Sequence, residues 1–102
     1  MHVISLKRLR EFSSTHSDAE SSLMAWYRTV KRVNWQSLAE LKEVYPTADL
    51  VGRRTVFNIG GNKYRLITRI VYRSQTVFVI EVLTHKEYDL GNGRNEKRGP
   101  KN

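Results

Sequence analysis

Two groups of side chains in this chain have the types and spacing to act on a phosphodiester. The first is the run Thr84-His85-Lys86-Glu87-Tyr88-Asp89, directly after the last strand-like segment. Histidine has an unperturbed pKa of about 6.5, so His85 could serve as acid or base near neutrality. Lys86 adds a cation, and Tyr88 a phenol or a stacking face. The second group lies in residues 53–80, which hold Arg53, Arg54, Lys63, Arg65, Arg69 and Arg73 and no acidic residue. Cleaving RNA without a metal needs three roles. A base activates the ribose 2′-hydroxyl, a cation stabilises the charged phosphorane, and an acid protonates the leaving oxygen. His85, Arg65 and either Tyr88 or Lys86 carry the groups for those roles. A lone histidine beside a strand end is an ordinary residue more often than a reactive one. By residue type alone, the run therefore supports this chemistry weakly.

Alternation along residues 63–73 puts Tyr64, Leu66, Thr68, Ile70 and Tyr72 on one face. The other face carries Lys63, Arg65, Arg69 and Arg73, with Ile67 and Val71 between them. Several cations without local partners suit an anion such as an RNA backbone. The competing reading is an ordinary solvated sheet face, or pairing of these cations with Glu40, Glu43 and Asp49 from the helical half. The whole chain leans the same way, with 18 Lys and Arg against 10 Asp and Glu and a net charge of +8. Such a balance speaks to partners, not to fold: nucleic acid, ribosome, an acidic protein or an anionic membrane surface.

Other classes drop out. The chain has no cysteine, which removes disulfides and thiolate metal sites. His2, His16 and His85 stand far apart without ligand spacing, so neither a metal nor another cofactor is expected. No apolar run approaches the roughly 20 residues that cross a bilayer. Met1-His2-Val3-Ile4-Ser5 lacks a signal-peptide core. The expectation is a cytoplasmic protein with no membrane partner. Gly60-Gly61-Asn62 matches no phosphate-binding loop and reads as a turn. Trp26 and Trp35 read as core or interface residues.

The elements that must position these groups are legible in outline. Val3-Ile4 is a brief strand or the lead-in to a helix. Leu6, Leu9 and Phe12 have helical spacing, with Lys7, Arg8 and Arg10 on the solvated side. Ser17-Asp18-Ala19-Glu20 reads as a capping box opening a helix with Leu23, Trp26 or Tyr27, and Val30 along one stripe. Ser37-Leu38-Ala39-Glu40 reads as a second box, and Tyr45-Pro46 ends that helix. Period two then takes over in residues 53–59, 63–73 and 76–83, joined by short turns and therefore antiparallel. The predicted fold is α+β, with helices first, then a three-stranded meander, the N-terminal residues being a possible fourth strand. The 102 residues fit one domain over residues 1–90. Residues 91–102 form a basic tail too polar to order itself by burial.

The run Val56-Phe57-Asn58-Ile59-Gly60-Gly61-Asn62-Lys63-Tyr64-Arg65-Leu66, followed by Thr84-His85-Lys86-Glu87-Tyr88-Asp89, closely resembles the HigB family of toxins from type II toxin–antitoxin systems. Val3-Ile4-Ser5, Ala25-Trp26-Tyr27 and Tyr45-Pro46-Thr47-Ala48-Asp49 resemble it too. The likeness spans residues 1–90. It implies a RelE-like fold, with N-terminal helices packed on a small curved antiparallel sheet. It implies an endoribonuclease, an mRNA interferase that cuts mRNA threaded in the ribosomal A site and leaves a 2′,3′-cyclic phosphate. It also implies a HigA-like helix-turn-helix antitoxin that neutralises the toxin and carries the pair to operator DNA. The family's active-site arginine falls on Arg65, and its polar group after the last strand on His85, with Lys86 and Tyr88 beside it. Lys63 and Arg69 would be phosphate contacts, and Arg53, Arg54 and Arg73 extend the RNA-binding surface. The alternative is a basic RNA- or DNA-binding protein without catalysis, acting within a repressor complex.

Overall fold

Helical spacing in the first half and alternation in the second become two layers. A computed structural model describes residues 1–91. The expectations for the tail beyond Gly91 lie outside the described residues. The chain opens with β1 (His2–Ile4), then α1 (Leu6–Thr15), a 3-10 turn (Ser17–Ala19), α2 (Glu20–Arg32) and α3 (Leu38–Val44). The strands β2 (Asp49–Val51), β3 (Arg54–Ile59), β4 (Tyr64–Val71) and β5 (Thr76–Thr84) follow, and α4 (His85–Asp89) comes last.

The sheet order is β1-β5-β4-β3-β2. Strands β2 to β5 pair antiparallel through short turns. The N-terminal segment is indeed a strand, and it runs parallel to β5, with Val3 opposite Val77. The long passage through the helices and the meander permits that orientation, which a tight turn does not. Strand β2 escapes a reading by alternation, because three residues are too few to show a period.

Helices α1, α2 and α3 cover one sheet face. Leu9, Leu23, Trp26, Val30 and Leu41 are buried there with Phe57, Leu66, Val77, Val79 and Val82. Tyr27 is only partly buried, so Trp26 is the member of the stripe that enters the core. Trp35 is a core residue as well. The opposite face carries a smaller cluster of Val51, Val56, Ile67 and Leu83, with Ile80 and Tyr88 packed against it. A β-bulge separates the two patterns on β5. The register steps from Ile67 opposite Glu81 to Thr68 opposite Val79, which leaves Ile80 as the extra residue. The bulge shifts the alternation by one, so Val77, Val79 and Val82 all face the helices.

The capping signals resolve unequally. The expected box at Ser17 does not form: α2 starts at Glu20 with Ala19 as N-cap and no side-chain cap. Asp18 is drawn instead to Tyr64 and Lys63. At α3, Ser37 Oγ accepts from the Glu40 amide at 3.3 Å, but Glu40 returns to the Gln36 amide, not to Ser37. The α-amino group of Met1 donates to the Val30 and Val33 carbonyls at 3.0 and 2.6 Å, which anchors β1 on the C-terminal end of α2. Among the described residues no helix is long and apolar enough to cross a membrane.

Candidate active site

Arg65 occupies the second position of β4, between Asn58 on β3 and Leu83 on β5. Alternation sends it to the face opposite the three N-terminal helices. It is only 8% exposed. A buried guanidinium must find partners, since losing water around a charge is costly. It donates to the Asn62 and Tyr64 carbonyls at 3.2 and 3.3 Å. Its carbon lies 5.7 Å from the centroid of the Tyr88 ring. No carboxylate pairs with it among the described residues. The partners are all neutral, so they satisfy N–H groups without cancelling the charge. Such an environment can accept an anion.

Helix α4 exists because of its cap. Thr84 Oγ1 accepts from the Glu87 amide at 3.1 Å, and Glu87 Oε1 accepts from the Thr84 amide at 2.9 Å. This is a complete reciprocal box. The Thr84-x-x-Glu87 signal stands in the sequence, where the segment reads only as the stretch after the last strand. The His85 amide donates to the Lys63 carbonyl at 2.8 Å, which ties the helix start to the beginning of β4. One turn later Tyr88 packs on the Ile67 and Leu83 cluster and under Arg65. Residues three apart are neighbours on a helix, so His85 stands beside Tyr88. His85 Nε2 lies 3.1 Å from Asp89 Oδ2. Asp89 is thus a partner of the histidine that residue type alone did not single out. An i,i+4 spacing means contact only once a helix is known.

The cap carries a testable load. Thr84→Ala is expected to cost about 1 kcal/mol of stability in urea denaturation. It should also speed hydrogen exchange at the His85 and Leu90 amides. Unchanged exchange at both would mean that Tyr88 packing alone holds α4.

Residues 19–91 match the HigB toxin family, described as the RelE-like toxic component of a toxin–antitoxin system. The chain belongs to the HigB toxin family. The mRNA interferase toxin HigB of Escherichia coli (strain K12) is 31% identical to it over 99% of this chain and 100% of the relative. The mRNA interferase HigB of Shigella flexneri shows the same identity and coverage. That of Escherichia coli O6:H1 (strain CFT073) is 28% identical over 87% of this chain and 89% of its own length. The family match takes in α2 through α4, and so includes two of the three helices on the sheet and the Arg65 face.

The remaining cations separate into two sets within this HigB fold. Arg69 is exposed on β4, opposite Phe78 and on the same face as Arg65. Thr55 pairs with Thr68, so the next positions, Arg54 and Arg69, sit across from each other on that face. Arg53 and Arg73 are exposed in the turns before β3 and after β4. Arg73 lies eight positions beyond Arg65, at the far end of the strand, on the order of 27 Å away. Lys86 is exposed on α4. Lys63 is engaged elsewhere. Its ammonium pairs with Asp18 at 3.2 Å, toward the helical layer. Asp18 is held below the usual carboxylate range, first by the Tyr64 hydroxyl and then by Lys63. The same hydrogen bond pushes the Tyr64 phenol up. Asn58, half-buried opposite Arg65, is a further polar group of this face that its residue type did not announce. Surface grooves between Arg10 and Met24, and beside Arg28 and Arg32, lie on the helical side and share no residue with this face. The candidate site is an open, basic sheet surface with α4 along one end.

Proposed function

We propose that this chain is an mRNA interferase whose reactive groups are Arg65, His85, Tyr88 and Lys86. The observation that carries the reading is the buried Arg65 guanidinium, held by two carbonyls and a tyrosine ring with its charge uncompensated by any carboxylate among the described residues. Such a group is organised before any ligand arrives, and its charge suits a phosphorane. Asp89 Oδ2 lies 3.1 Å from His85 Nε2, which leaves Nδ1 on the other side of the ring for the substrate. Nδ1 takes the proton of the 2′-hydroxyl as its oxygen attacks the adjacent phosphorus. The bond to the 5′ oxygen breaks, a 2′,3′-cyclic phosphate forms, and the departing oxygen receives a proton from the Tyr88 phenol or the Lys86 ammonium. Arg69 and Arg54 continue the positive face along the strands and bind neighbouring phosphates, with Arg53 and Arg73 at its margins. Lys63 contributes less, because Asp18 already holds its ammonium.

The family's description as a toxic component supports a protein antitoxin as partner. In this reading the antitoxin is HigA-like, carries a helix-turn-helix and brings the pair to operator DNA. The substrate is mRNA on the translating ribosome, and the protein works in the cytoplasm. The open form of the site suits a polymer already held extended by other machinery.

The test is expression of the chain without antitoxin, with growth followed and mRNA ends mapped by primer extension. Growth arrest is expected, with new 5′-hydroxyl ends on the downstream fragments and cyclic phosphates on the upstream ones. His85→Ala should lower cleavage by roughly 100- to 10,000-fold. Tyr88→Phe keeps the ring beneath Arg65 and removes the hydroxyl, so it tests the acid: full activity points to Lys86, and a large loss with the fold intact to Tyr88. Salt-dependent RNA binding with no new ends, on translating ribosomes as well as on free RNA, would sink the reading in favour of a non-catalytic binding protein.

A further inference from the structure

Residues 62–64 face two ways. Their backbone supports the reactive groups. The Asn62 and Tyr64 carbonyls accept from Arg65, and the Lys63 carbonyl accepts the His85 amide at 2.8 Å. Their side chains reach back to the helical layer. Lys63 Nζ donates to Asp18 Oδ2 at 3.2 Å, and the Tyr64 hydroxyl donates to Asp18 Oδ1 at 2.5 Å. One carboxylate therefore takes both side chains, one on each oxygen. It does so from a 3-10 turn 45 residues upstream of Lys63. Neither that turn nor α2 draws a side-chain cap from its N-cap residue. Asp18, in the turn just before α2, thus bonds to the sheet and not to the helix.

The stretch is where the Gly60-Gly61 turn passes into the β3–β4–β5 ladder. It follows Gly60 and Gly61, at φ 63° and 76°, where the backbone is free to take many conformations. The Tyr64 ring rests against Phe12 and His16, at centroid distances of 5.3 and 5.7 Å, which fixes the ring but not its tip. Asp18 fixes the tip and the neighbouring ammonium together.

We propose that Asp18 is a positioning residue for the cleavage reaction: by holding Lys63 and Tyr64 from the helical layer, it sets the carbonyls of residues 62–64 that place Arg65 and His85 relative to each other. The proposal rests on the reading of Arg65 and His85 as reactive groups. Asp18 lies on the helical side of the sheet and does not face the RNA, so it acts on turnover and not on binding. A displacement of about 1 Å in a catalytic group can cost on the order of 100-fold in rate.

The experiment compares the intact chain with Asp18→Ala, Asp18→Asn, Asp18→Glu and Arg65→Ala, in cleavage of mRNA on translating ribosomes. Asp18→Ala is expected to lower kcat about tenfold, for a shift smaller than a full ångström. KM should stay within about twofold, because no substrate contact is lost. Asp18→Asn keeps an acceptor for Tyr64 and loses the charge facing Lys63, so it should fall between the two, and Asp18→Glu should recover most of the rate. Hydrogen exchange at the His85 amide should quicken in Asp18→Ala while exchange at Val79, in the core, does not. Full kcat in Asp18→Ala, with Arg65→Ala inactive, overturns the proposal and leaves the function intact. A rise in KM with kcat unchanged overturns it too, by making Asp18 a binding residue. Full activity of Arg65→Ala overturns both. If Asp18→Ala does not fold, the Asn and Glu variants decide: wild-type kcat in both overturns the proposal, and a loss in Asn recovered by Glu supports it.

Discussion

Arg65→Ala is expected to lower mRNA cleavage by roughly 100- to 1,000-fold, the usual cost of removing one preorganised donor from a developing oxyanion. The magnitude follows from where the charge sits. Arg65 is buried, held by the Asn62 and Tyr64 carbonyls and stacked by Tyr88, so little reorganisation is needed when charge builds on phosphorus. Arg65→Lys should lose most of that effect as well. A single ammonium keeps the charge but cannot bond both carbonyls, stack on the ring and still present a planar fork to a phosphate. The fold should survive either change. Arg65 lies on the face away from the helical core, and replacing a buried cation also removes its desolvation cost. Single-turnover cleavage on ribosomes, with thermal melting of each variant, checks the claim. An Arg65→Ala protein that melts normally and still arrests growth would show that the charge stabilising the reaction comes from elsewhere.

Trp26→Ala should destabilise the protein by about 3–5 kcal/mol, a large part of the 5–15 kcal/mol that holds a typical domain together. Trp26 is 1% exposed and meets Phe57 edge-on at a centroid distance of 5.3 Å. It joins α2 to β3 of the sheet, so its loss opens a cavity that the neighbouring helices cannot easily fill. Trp26→Phe should cost less. Trp26 Nε1 is buried without a hydrogen-bond partner among the described residues, and a phenylalanine removes that donor while keeping an aromatic ring on Phe57. Urea unfolding curves read at constant slope measure both. A shift below about 1 kcal/mol for Trp26→Ala would mean that the layers are not joined at this point.

The sequence by itself determined the helical first half, the meander of β3, β4 and β5 and the basic character of the Arg65 face. Each of these is written in short-range patterns: apolar residues three and four apart, alternation by two, turn glycines, and cations without nearby acids. The resemblance to HigB toxins is also a property of local runs, and the family match over residues 19–91 agrees with it. Tertiary structure decided the rest. Helix α4 spans only five residues, too few to show a period, so His85, Tyr88 and Asp89 could not be read as one surface although the Thr84-x-x-Glu87 cap stood in plain view. The bulge at Ile80 changes which β5 residues face the helices, and no alternation rule locates such a step. Lys63, expected among the phosphate contacts, turns to Asp18, because the fold brings together residues 45 apart in the chain. Arg65 itself was legible as a cation. That it is buried, held by two carbonyls and a ring, with no carboxylate paired to it among the described residues, is a matter of packing: it depends on which strands and which short helix close around it.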